Sequence, residues 1–340
     1  MKSSAFCIAM ALIVMLCIAL FSCFVGAASI SPLRLYEAVT GDSVLSITDR
    51  TILLQLRLPR ILTAILVGGS LASAGVGFQG LFRNPLAEPY VIGASSGATL
   101  GVALVIVCGL KASVLSLGAT TIAAMVGALA VVLLVLVIGS LARTPSTISL
   151  LLAGVVISSL INAIVSALMF LFDQKTVVIL SWLMGSLANS HWGTVMMAAV
   201  VGGSGMLMIG FLSRPLDAYA LGDTTSQSLG LDLKRFRWLI IGAASVATAG
   251  AVAAAGMIGF VGLISPHIAR QFVGSRHISL IPMSICVGAS LMLVADSMAR
   301  IVMAPAELPV GIVTAILGCP FFLWLLLTDR RDGAALGGSA

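Results

Sequence analysis

Charged side chains are scarce in this sequence. Only 9% of its 340 residues are Asp, Glu, Lys or Arg, whereas roughly a quarter of the residues in an ordinary soluble domain are charged. Hydrophobic residues make up 60% of the chain, so most of its surface must face lipid. Because a bilayer core of about 30 Å takes roughly 20 apolar residues per helix, the chain has room for about ten spans and none for a soluble enzyme domain.

Motifs for nucleotide and metal binding are also missing. No G-x-x-x-x-G-K-[ST] loop occurs, so the chain lacks the Gly-rich loop and Lys that would neutralise the phosphates of ATP. The three histidines form no H-E-x-x-H, and the six cysteines form no C-x-x-C pair. We therefore predict that the chain has no catalytic residue and binds no metal or other cofactor. If ATP drives the protein, another chain hydrolyses it.

The formal net charge of +6 does not indicate a nucleic-acid partner, since the 18 Lys and Arg residues are dispersed among apolar runs. These cations suggest an orientation instead, because cytoplasmic loops are enriched in Lys and Arg. With both termini in the cytoplasm, eleven of them lie inside and seven outside. We predict a multi-pass protein of the cytoplasmic (inner) membrane, with lipid around its helices.

Ten long apolar stretches predict ten membrane-spanning helices. The first is too long for the apolar region of a signal peptide, and further spans follow it. We expect residues 1–332 to form a single transmembrane domain of an all-α integral membrane protein, and residues 333–340 to form a disordered tail. The predicted spans lie near 5–27, 60–81, 91–109, 114–140, 148–171, 192–212, 238–256, 258–273, 278–298 and 309–327.

Glycines mark two places where the backbone has a special task. Between Gly93 and Gly101 they recur every four residues, the spacing that lets two membrane helices approach closely. Between Gly256 and Gly262, three glycines lead into Pro266. This combination weakens a regular helix and predicts a break within the bilayer.

Several motifs follow one another along the rest of the chain. They read Arg57-Leu58-Pro59-Arg60, Arg83-Asn84-Pro85-Leu86-Ala87-Glu88-Pro89, Gly259-Phe260-Val261-Gly262-Leu263-Ile264-Ser265-Pro266-His267 with Arg270, and Ala306-Glu307-Leu308-Pro309-Val310-Gly311. In order and spacing they resemble the motifs of FecCD-type permeases of type II ABC importers. The resemblance extends from about Arg57 to Leu327 and thus covers most of the chain.

The resemblance implies a BtuC-like permease fold with about ten transmembrane helices per subunit. It also implies partners: a second permease copy in a homodimer or pseudo-dimer, an extracytoplasmic substrate-binding protein, and two ABC ATPase subunits that bind ATP and Mg. Within the motifs, it implies structural roles for Pro85, Glu88, Pro89, Gly259, Gly262, Pro266, His267, Arg270, Glu307 and Pro309.

Three arginines on the outer side resemble docking residues. In the family, arginines at the positions of Arg57, Arg60 and Arg300 face acidic residues of the binding protein, which would explain cations outside. Alternatively, the first two anchor a helix end among lipid headgroups, and Arg300 pairs with Asp296 one helical turn earlier.

The longest inner loop, residues 213–237, resembles the segment that couples these permeases to their ATPase. Its pairs Leu221-Gly222 and Leu229-Gly230 predict two short helices that transmit the closure of the ATPase as a rigid push. The alternative is an ordinary solvated loop.

Two hydroxyl residues at the inner end of the fifth predicted span resemble the cytoplasmic gate of the family. Ser146 and Thr147 directly follow Pro145, and small hydroxyl residues suit a constriction that must open and reseal. Ser146 could equally be the N-cap of the span, which is compatible with a gate.

The resemblance implies import by alternating access. Trp182, Gly185 and Ser186 are similar to the iron-siderophore branch, so we expect an iron(III)-siderophore or similar metal chelate as cargo, with haem or cobalamin as alternatives. An ion-gradient-driven secondary transporter is the alternative from another class. It would need a paired ionisable site at mid-membrane and inverted repeats, and the sequence shows neither clearly.

Overall fold

Apolar helices build almost the whole structure. The computed structural model of the protein describes residues 2–25, 47–110, 113–114, 117–141 and 147–336. A hairpin of two-residue strands, β1 Ser113–Val114 and β2 Leu117–Gly118, connects two of the helices. The helices are α1 Lys2–Phe24, α2 Ile47–Phe82, α3 Ala94–Cys108, α4 Ala119–Ser140, α5 Thr147–Leu171, α6 Asp173–Leu183, α7 Trp192–Phe211, α8 Ser213–Ala220, α9 Asp223–Ser228, α10 Leu233–Ala255, α11 Val261–Val273, α12 His277–Ile301 and α13 Val310–Leu336.

Each of the ten predicted spans corresponds to a helix, but three of these helices are short. Within the described ranges, seven helices are long and apolar enough to cross a membrane, namely α1, α2, α4, α5, α7, α10 and α12. Helices α3 and α11 have only 15 and 13 residues, and the apolar part of α13 is also short. At a rise of 1.5 Å per residue, α11 extends only about 20 Å.

The predicted helices differ from the structure in two places. Helix α6 was not predicted, because its 11 residues begin with the polar Asp173, Gln174 and Lys175 and give no long apolar run. Helix α13 continues to Leu336 and therefore includes the first residues of the predicted tail, while residues 337–340 lie outside the described residues.

Helix α2 lies at the centre of the domain, packed against α10, α11 and α12. Within the most apolar 18-residue stretch of α2, 83% is buried inside the domain, which is the highest share among the seven long helices. Small residues allow this packing: Gly68 lies against Gly288 of α12, and Gly75 lies against Gly262 of α11. A Cβ atom on either glycine of α2 would overlap the carbonyl group opposite.

The predicted glycine face of α3 is confirmed. Gly97 packs against Gly127 of α4, and Gly101 packs against the carbonyl of Ala123 on the same helix. The first glycine of the series, Gly93, precedes α3 with φ +87°, a left-handed conformation that side chains with a Cβ rarely adopt.

The predicted break is found between Gly256 and Phe260, before Pro266. Residues 256–260 between α10 and α11 are non-helical. Both ends of this segment have a positive φ, +73° at Gly256 and 68° at Phe260. Since a positive φ stops a right-handed helix, these two residues set the limits of the break.

Pro266 lies inside α11, which continues through it as a helix. Because proline has no N–H, the carbonyl of Gly262 one turn earlier receives no helical hydrogen bond. The side chain of Gln79 on α2 donates to that carbonyl from Nε2 at 3.4 Å instead. This replacement donor explains why the proline does not end the helix.

We predict that Gly75→Ala destabilises the domain, because the added methyl group overlaps Gly262 and must push α2 and α11 apart. Overpacking of this kind costs about 1–3 kcal/mol. The thermal unfolding of the purified protein in detergent measures the effect. Gly242→Ala on α10 is the matched control, since nothing lies within 4 Å of the added atom. Equal unfolding temperatures for the two variants would contradict the prediction.

Candidate functional site

Arg60 is the centre of an ion-pair cluster in the N-terminal half of α2, which we call the outer cluster after the orientation predicted from the sequence. Its Nε lies 2.9 and 3.2 Å from the two carboxylate oxygens of Asp296, and its Nη2 lies 2.8 Å from Oδ1 of the same residue. Its Nη1 lies 3.0 and 2.9 Å from the carboxylate oxygens of Glu307. One guanidinium therefore connects α2 to α12 and to the segment before α13.

Arg300 brings α1 into the same cluster. Its Nε lies 3.1 Å from Oδ2 of Asp296, so the predicted pairing of these two residues is confirmed. Its Nη1 donates to the carbonyl of Val25 at 2.7 Å, and its Nη2 donates to the hydroxyl of Ser22 at 2.5 Å. The end of α1 is thus held to the end of α12.

The three arginines predicted to dock a binding protein are buried. Arg57, Arg60 and Arg300 have 6%, 9% and 5% of their surface exposed, and Arg57 donates to the carbonyl of Cys23. The group that reaches the surface is Glu307, whose side chain is 38% exposed. The structure thus assigns these arginines an internal role as clamps between helices, and their docking role stays a prediction.

The inner loop 213–237 contains the two short helices that were predicted, α8 and α9. Gly222 follows α8 with φ +103°, and Gly230 follows α9 with φ +85°. Both values lie in the region that favours glycine, which explains why each helix ends at a Leu-Gly pair. The leucines of these pairs, Leu221 and Leu229, are 63% and 64% exposed.

The two short helices are fixed to the membrane domain by Asp223. Its Oδ1 lies 2.6 Å from Nη2 of Arg83 at the end of α2, and its Oδ2 lies 2.8 Å from Nη2 of Arg237 on α10. Arg83 also donates to the carbonyl of Tyr219 at 2.7 Å and lies 4.2 Å from the centre of that ring. We call Asp223, Arg83, Arg237 and Tyr219 the inner clamp.

A second contact joins α8 to α12. Oδ1 of Asp217 accepts a hydrogen bond from the backbone N–H of His277 at 2.9 Å and lies 2.6 Å from Nδ1 of the same residue. Together with the inner clamp, this contact holds the loop against the ends of three long helices. Such a loop is ordered by its own ion pairs, unlike a loop that is only solvated.

The segment between α2 and α3 turns back into the membrane domain. It includes a short 3-10 helix, Pro89–Ile92. Pro89 packs against Gly262, which in turn lies against Gly75 on α2. Gly75 lies seven residues before the end of α2, about 10 Å along the helix axis, so the segment returns by a similar depth. Pro85, at the start of the turn, is exposed.

Side chains of this returning segment hold the break between α10 and α11. The hydroxyl of Tyr90 donates to the carbonyl of Ile258 at 2.9 Å and accepts from its N–H at 3.2 Å. Oε1 of Glu88 accepts from the N–H of Phe260 at 3.3 Å. Non-helical backbone is tolerated at membrane depth where the protein supplies such partners.

Two further parts of the chain meet the same break: the non-helical segment after α6 and the first turn of α13. The N–H of Ser186 donates to the carbonyl of Ala255 at 2.8 Å, and the N–H of Gly311 donates to the carbonyl of Met184 at 3.1 Å. Gly185, with φ +68°, lies against the carbonyl of Met257. The segments after α6 and after α10 therefore form one junction with the first turn of α13. Pro309 directly precedes that turn.

A cavity of about 610 Å³ opens beside this junction. Most of its walls are apolar or glycine, and Glu88 is the only charged residue that lines it in the described part of the chain. The lining residues are Glu88, Tyr90, Ser95, Leu183, Met184, Met257, Gly259, Phe260, Gly311, Ile312, Ala315 and Ile316.

The remaining predicted site residues lie apart from this cavity. The His267 ring meets the Phe321 ring edge-on at 5.8 Å, while Nη1 of Arg270 is buried and finds no hydrogen-bond partner among the described residues. Ser146 lies outside the described residues. Thr147 begins α5, but its side chain is not among those described, so the gate stays a prediction.

Comparison with known proteins gives a family for this architecture. Residues 11–328 match the model of the FecCD transport family. The chain belongs to the FecCD transport family. The resemblance inferred from the motifs is therefore confirmed, and the protein is a multi-pass membrane permease subunit of the ABC importer class.

Individual relatives match over most of the chain. The hemin transport system permease protein HmuU of Yersinia pestis is 38% identical over 328 residues, which are 94% of this chain and 95% of that protein. The Fe(3+) dicitrate transport system permease protein FecD of Escherichia coli is 40% identical, over 82% of this chain and 86% of its own length. These FecCD relatives differ in the cargo that their names state.

A solved structure confirms the fold. It is described as an inward-facing conformation of a metal-chelate type ABC transporter, and it superimposes on this chain with a TM-score of 0.84 at 33% identity. The match covers 94% of this chain and 98% of the other. The predicted all-α permease fold is therefore confirmed, although the number of full-length spans in the described FecCD chain is smaller than ten.

We predict that Asp223→Asn loosens the two short helices, because it removes both ion pairs of the inner clamp. Each exposed pair is worth up to about 1 kcal/mol, so amide hydrogen exchange across residues 213–237 should become roughly fivefold faster or more. Asp232→Asn is the control, since asparagine still caps α10 while the same loop loses one charge. Similar exchange in both variants would contradict the clamp.

Proposed function

We propose that this chain is one of two permease subunits of a binding-protein-dependent importer. The importer carries an iron(III)-siderophore or a similar large metal chelate into the cytoplasm by alternating access. The exposed Leu221 and Leu229 carry the proposal: two leucines at the ends of short helices that ion pairs anchor outside the apolar spans indicate a docking surface for another protein. Separate ATPase subunits fit this surface, because the chain has no phosphate-binding loop of its own.

The cargo class is supported by the site and by the relatives. Among the described residues, no group of His, Cys, Asp or Glu is placed to hold a metal ion, which favours a metal already wrapped by an organic ligand. Apolar walls suit such a chelate. Relatives are named for hemin, iron dicitrate and cobalamin, so haem and cobalamin are the alternative cargoes.

Partners and orientation complete the proposal. A second copy of the chain, or a similar permease, would close the cavity on its open side, where Met184 and Ile316 are 43% and 65% exposed. Two ATPase subunits with ATP and Mg would bind the inner loops, and this chain would hold no cofactor. We place it in the cytoplasmic membrane with both termini inside, since the loop that carries Arg214, Lys234 and Arg235 then faces the cytoplasm.

Docking of the binding protein involves the outer cluster in this proposal. Arg60 is engaged by Asp296 and Glu307 in the free chain, so an acidic residue of the binding protein must compete with one of them. The pair with Glu307 is the weaker competitor, because its carboxylate is partly exposed whereas Asp296 is buried. Docking would thus exchange one ion pair for another.

We predict that Glu307→Gln strengthens binding of the partner binding protein by up to about fivefold at low salt, since a partly exposed ion pair is worth up to about 1 kcal/mol. The dissociation constant, measured with the permease in lipid nanodiscs, checks this. Asp173→Asn removes an acidic residue far along the chain from the cluster and is the control. If both variants bind like the unsubstituted chain, Arg60 is a clamp only and does not dock the partner.

The transport proposal is tested in proteoliposomes that contain the permease with its ATPase and binding protein. Uptake of a ferric trihydroxamate complex should require ATP and all three components, because this chain binds no nucleotide. Omission of the ATPase should abolish uptake even when a proton or sodium gradient is present. Gradient-driven uptake without the ATPase would overturn the proposal and favour a secondary transporter.

A further inference from the structure

Glu88 occupies a position that its structural role does not fully explain. It is the only charged residue among the described residues that line the 610 Å³ cavity, and no Lys or Arg lines the cavity to balance it. Burying a charge in apolar surroundings is costly, so charged residues at membrane depth usually serve a function. Holding the break would not require a charge, since the neutral hydroxyl of Tyr90 does the same for Ile258.

Only one of the two carboxylate oxygens of Glu88 accepts a hydrogen bond from the described part of the chain. Oε1 accepts the hydrogen bond from Phe260, and no hydrogen bond to Oε2 occurs in the described part of the chain. Gly259 lies beside the carboxylate and carries no side chain that would cover it; even an added Cβ would lie 3.8 Å from Oε1. The second oxygen is therefore left to interact with whatever enters the cavity.

Burial in apolar walls opposes ionisation of this carboxyl group, and two contacts offset part of that cost. The Phe260 amide donates to it, and a hydrogen bond to a carboxylate favours ionisation. Phe260 is also the N-cap of α11, so the carboxylate lies at the positive end of a 13-residue helix. In the low dielectric of apolar walls, the resulting negative charge acts over a longer range than it would in water.

We propose that Glu88 determines the charge preference of the cavity: its carboxylate attracts cationic and hydrogen-bond-donating groups and repels anionic ones. The cavity then accepts cationic or neutral chelates more readily than anionic chelates of the same size. This preference among chelates, the second statement, rests on the proposed function, because it assumes that cargo passes through the cavity. The first statement concerns the permease alone.

A thiol-reactivity experiment tests the first statement without any cargo. Ser95, which lines the cavity, is replaced by cysteine, and the chain in nanodiscs reacts with two methanethiosulfonates of similar size, one cationic (trimethylammonium) and one anionic (sulfonate). None of the six native cysteines is among the lining residues, so the reaction of the parent chain is subtracted. The measured quantity is the ratio of the two rates, normalised to a free thiol in solution.

We expect the cationic reagent to be favoured by roughly tenfold in Ser95→Cys, in line with one nearby charge at intermediate dielectric. Adding Glu88→Gln should bring the ratio close to one, because glutamine keeps an acceptor for Phe260 but has no charge. Adding Tyr90→Phe should leave the ratio high, since it removes the hydrogen bonds to Ile258 but keeps the carboxylate.

A ratio near one in the Ser95→Cys chain itself would overturn the proposal, even if Glu88→Gln fails to fold. If Glu88→Gln and Tyr90→Phe lower the rate ratio equally, the proposal is also overturned, because the charge preference would then come from the structure of the break. Uptake provides the second test: Glu88→Gln should shift the competition between a cationic and an anionic ferric chelate towards the anionic one. If no ATP-dependent uptake occurs with any variant, the proposed function fails, whereas the thiol ratio still decides the charge preference.

Discussion

Backbone groups that leave a helix inside a membrane need partners from the protein, because no water is available there to bind them. This constraint explains the most distinctive contacts of the structure. Tyr90 and Glu88 hold the break between α10 and α11, and Gln79 binds the carbonyl that Pro266 leaves without a donor. These side chains support the backbone just before and at the start of α11.

The same constraint places the cavity. The segment after α6 donates to the last carbonyl of α10 and accepts from the first turn of α13, and these elements leave an opening beside them. Glycines are required at this junction because the segments approach closely, as Gly185 does against Met257. A carboxylate at its edge supports the break and also charges an otherwise apolar wall.

Helix α2 connects the two faces of the permease. Its N-terminal half carries Arg60 in the outer cluster, and Arg83, the residue after its C-terminal end, belongs to the inner clamp. Between these ends it packs so closely on α11 and α12 that glycines form the contact. This buried helix therefore connects the outer cluster to the inner clamp through one contiguous packed element.

The sequence by itself determined the membrane class, the positions of the ten apolar helices, the two short helices at the Leu-Gly pairs and the family. These features depend on local composition and on motifs along the chain. It failed for α6, because the polar residues at the start of this helix interrupt the apolar pattern. It also did not show that α11 continues through Pro266, because the substitute donor Gln79 lies 183 residues from Gly262.

Only the tertiary structure decided that the outer arginines are buried, that Arg60 pairs with Glu307, and that Arg83, Asp223 and Arg237 form one clamp. It alone showed that the segment around Glu88 returns into the domain and lines a cavity. These features join residues far apart in the chain, and a charge in a sequence does not state which partner it will meet. Pairing is settled by the packing of helices, which a single sequence specifies only through the complete fold.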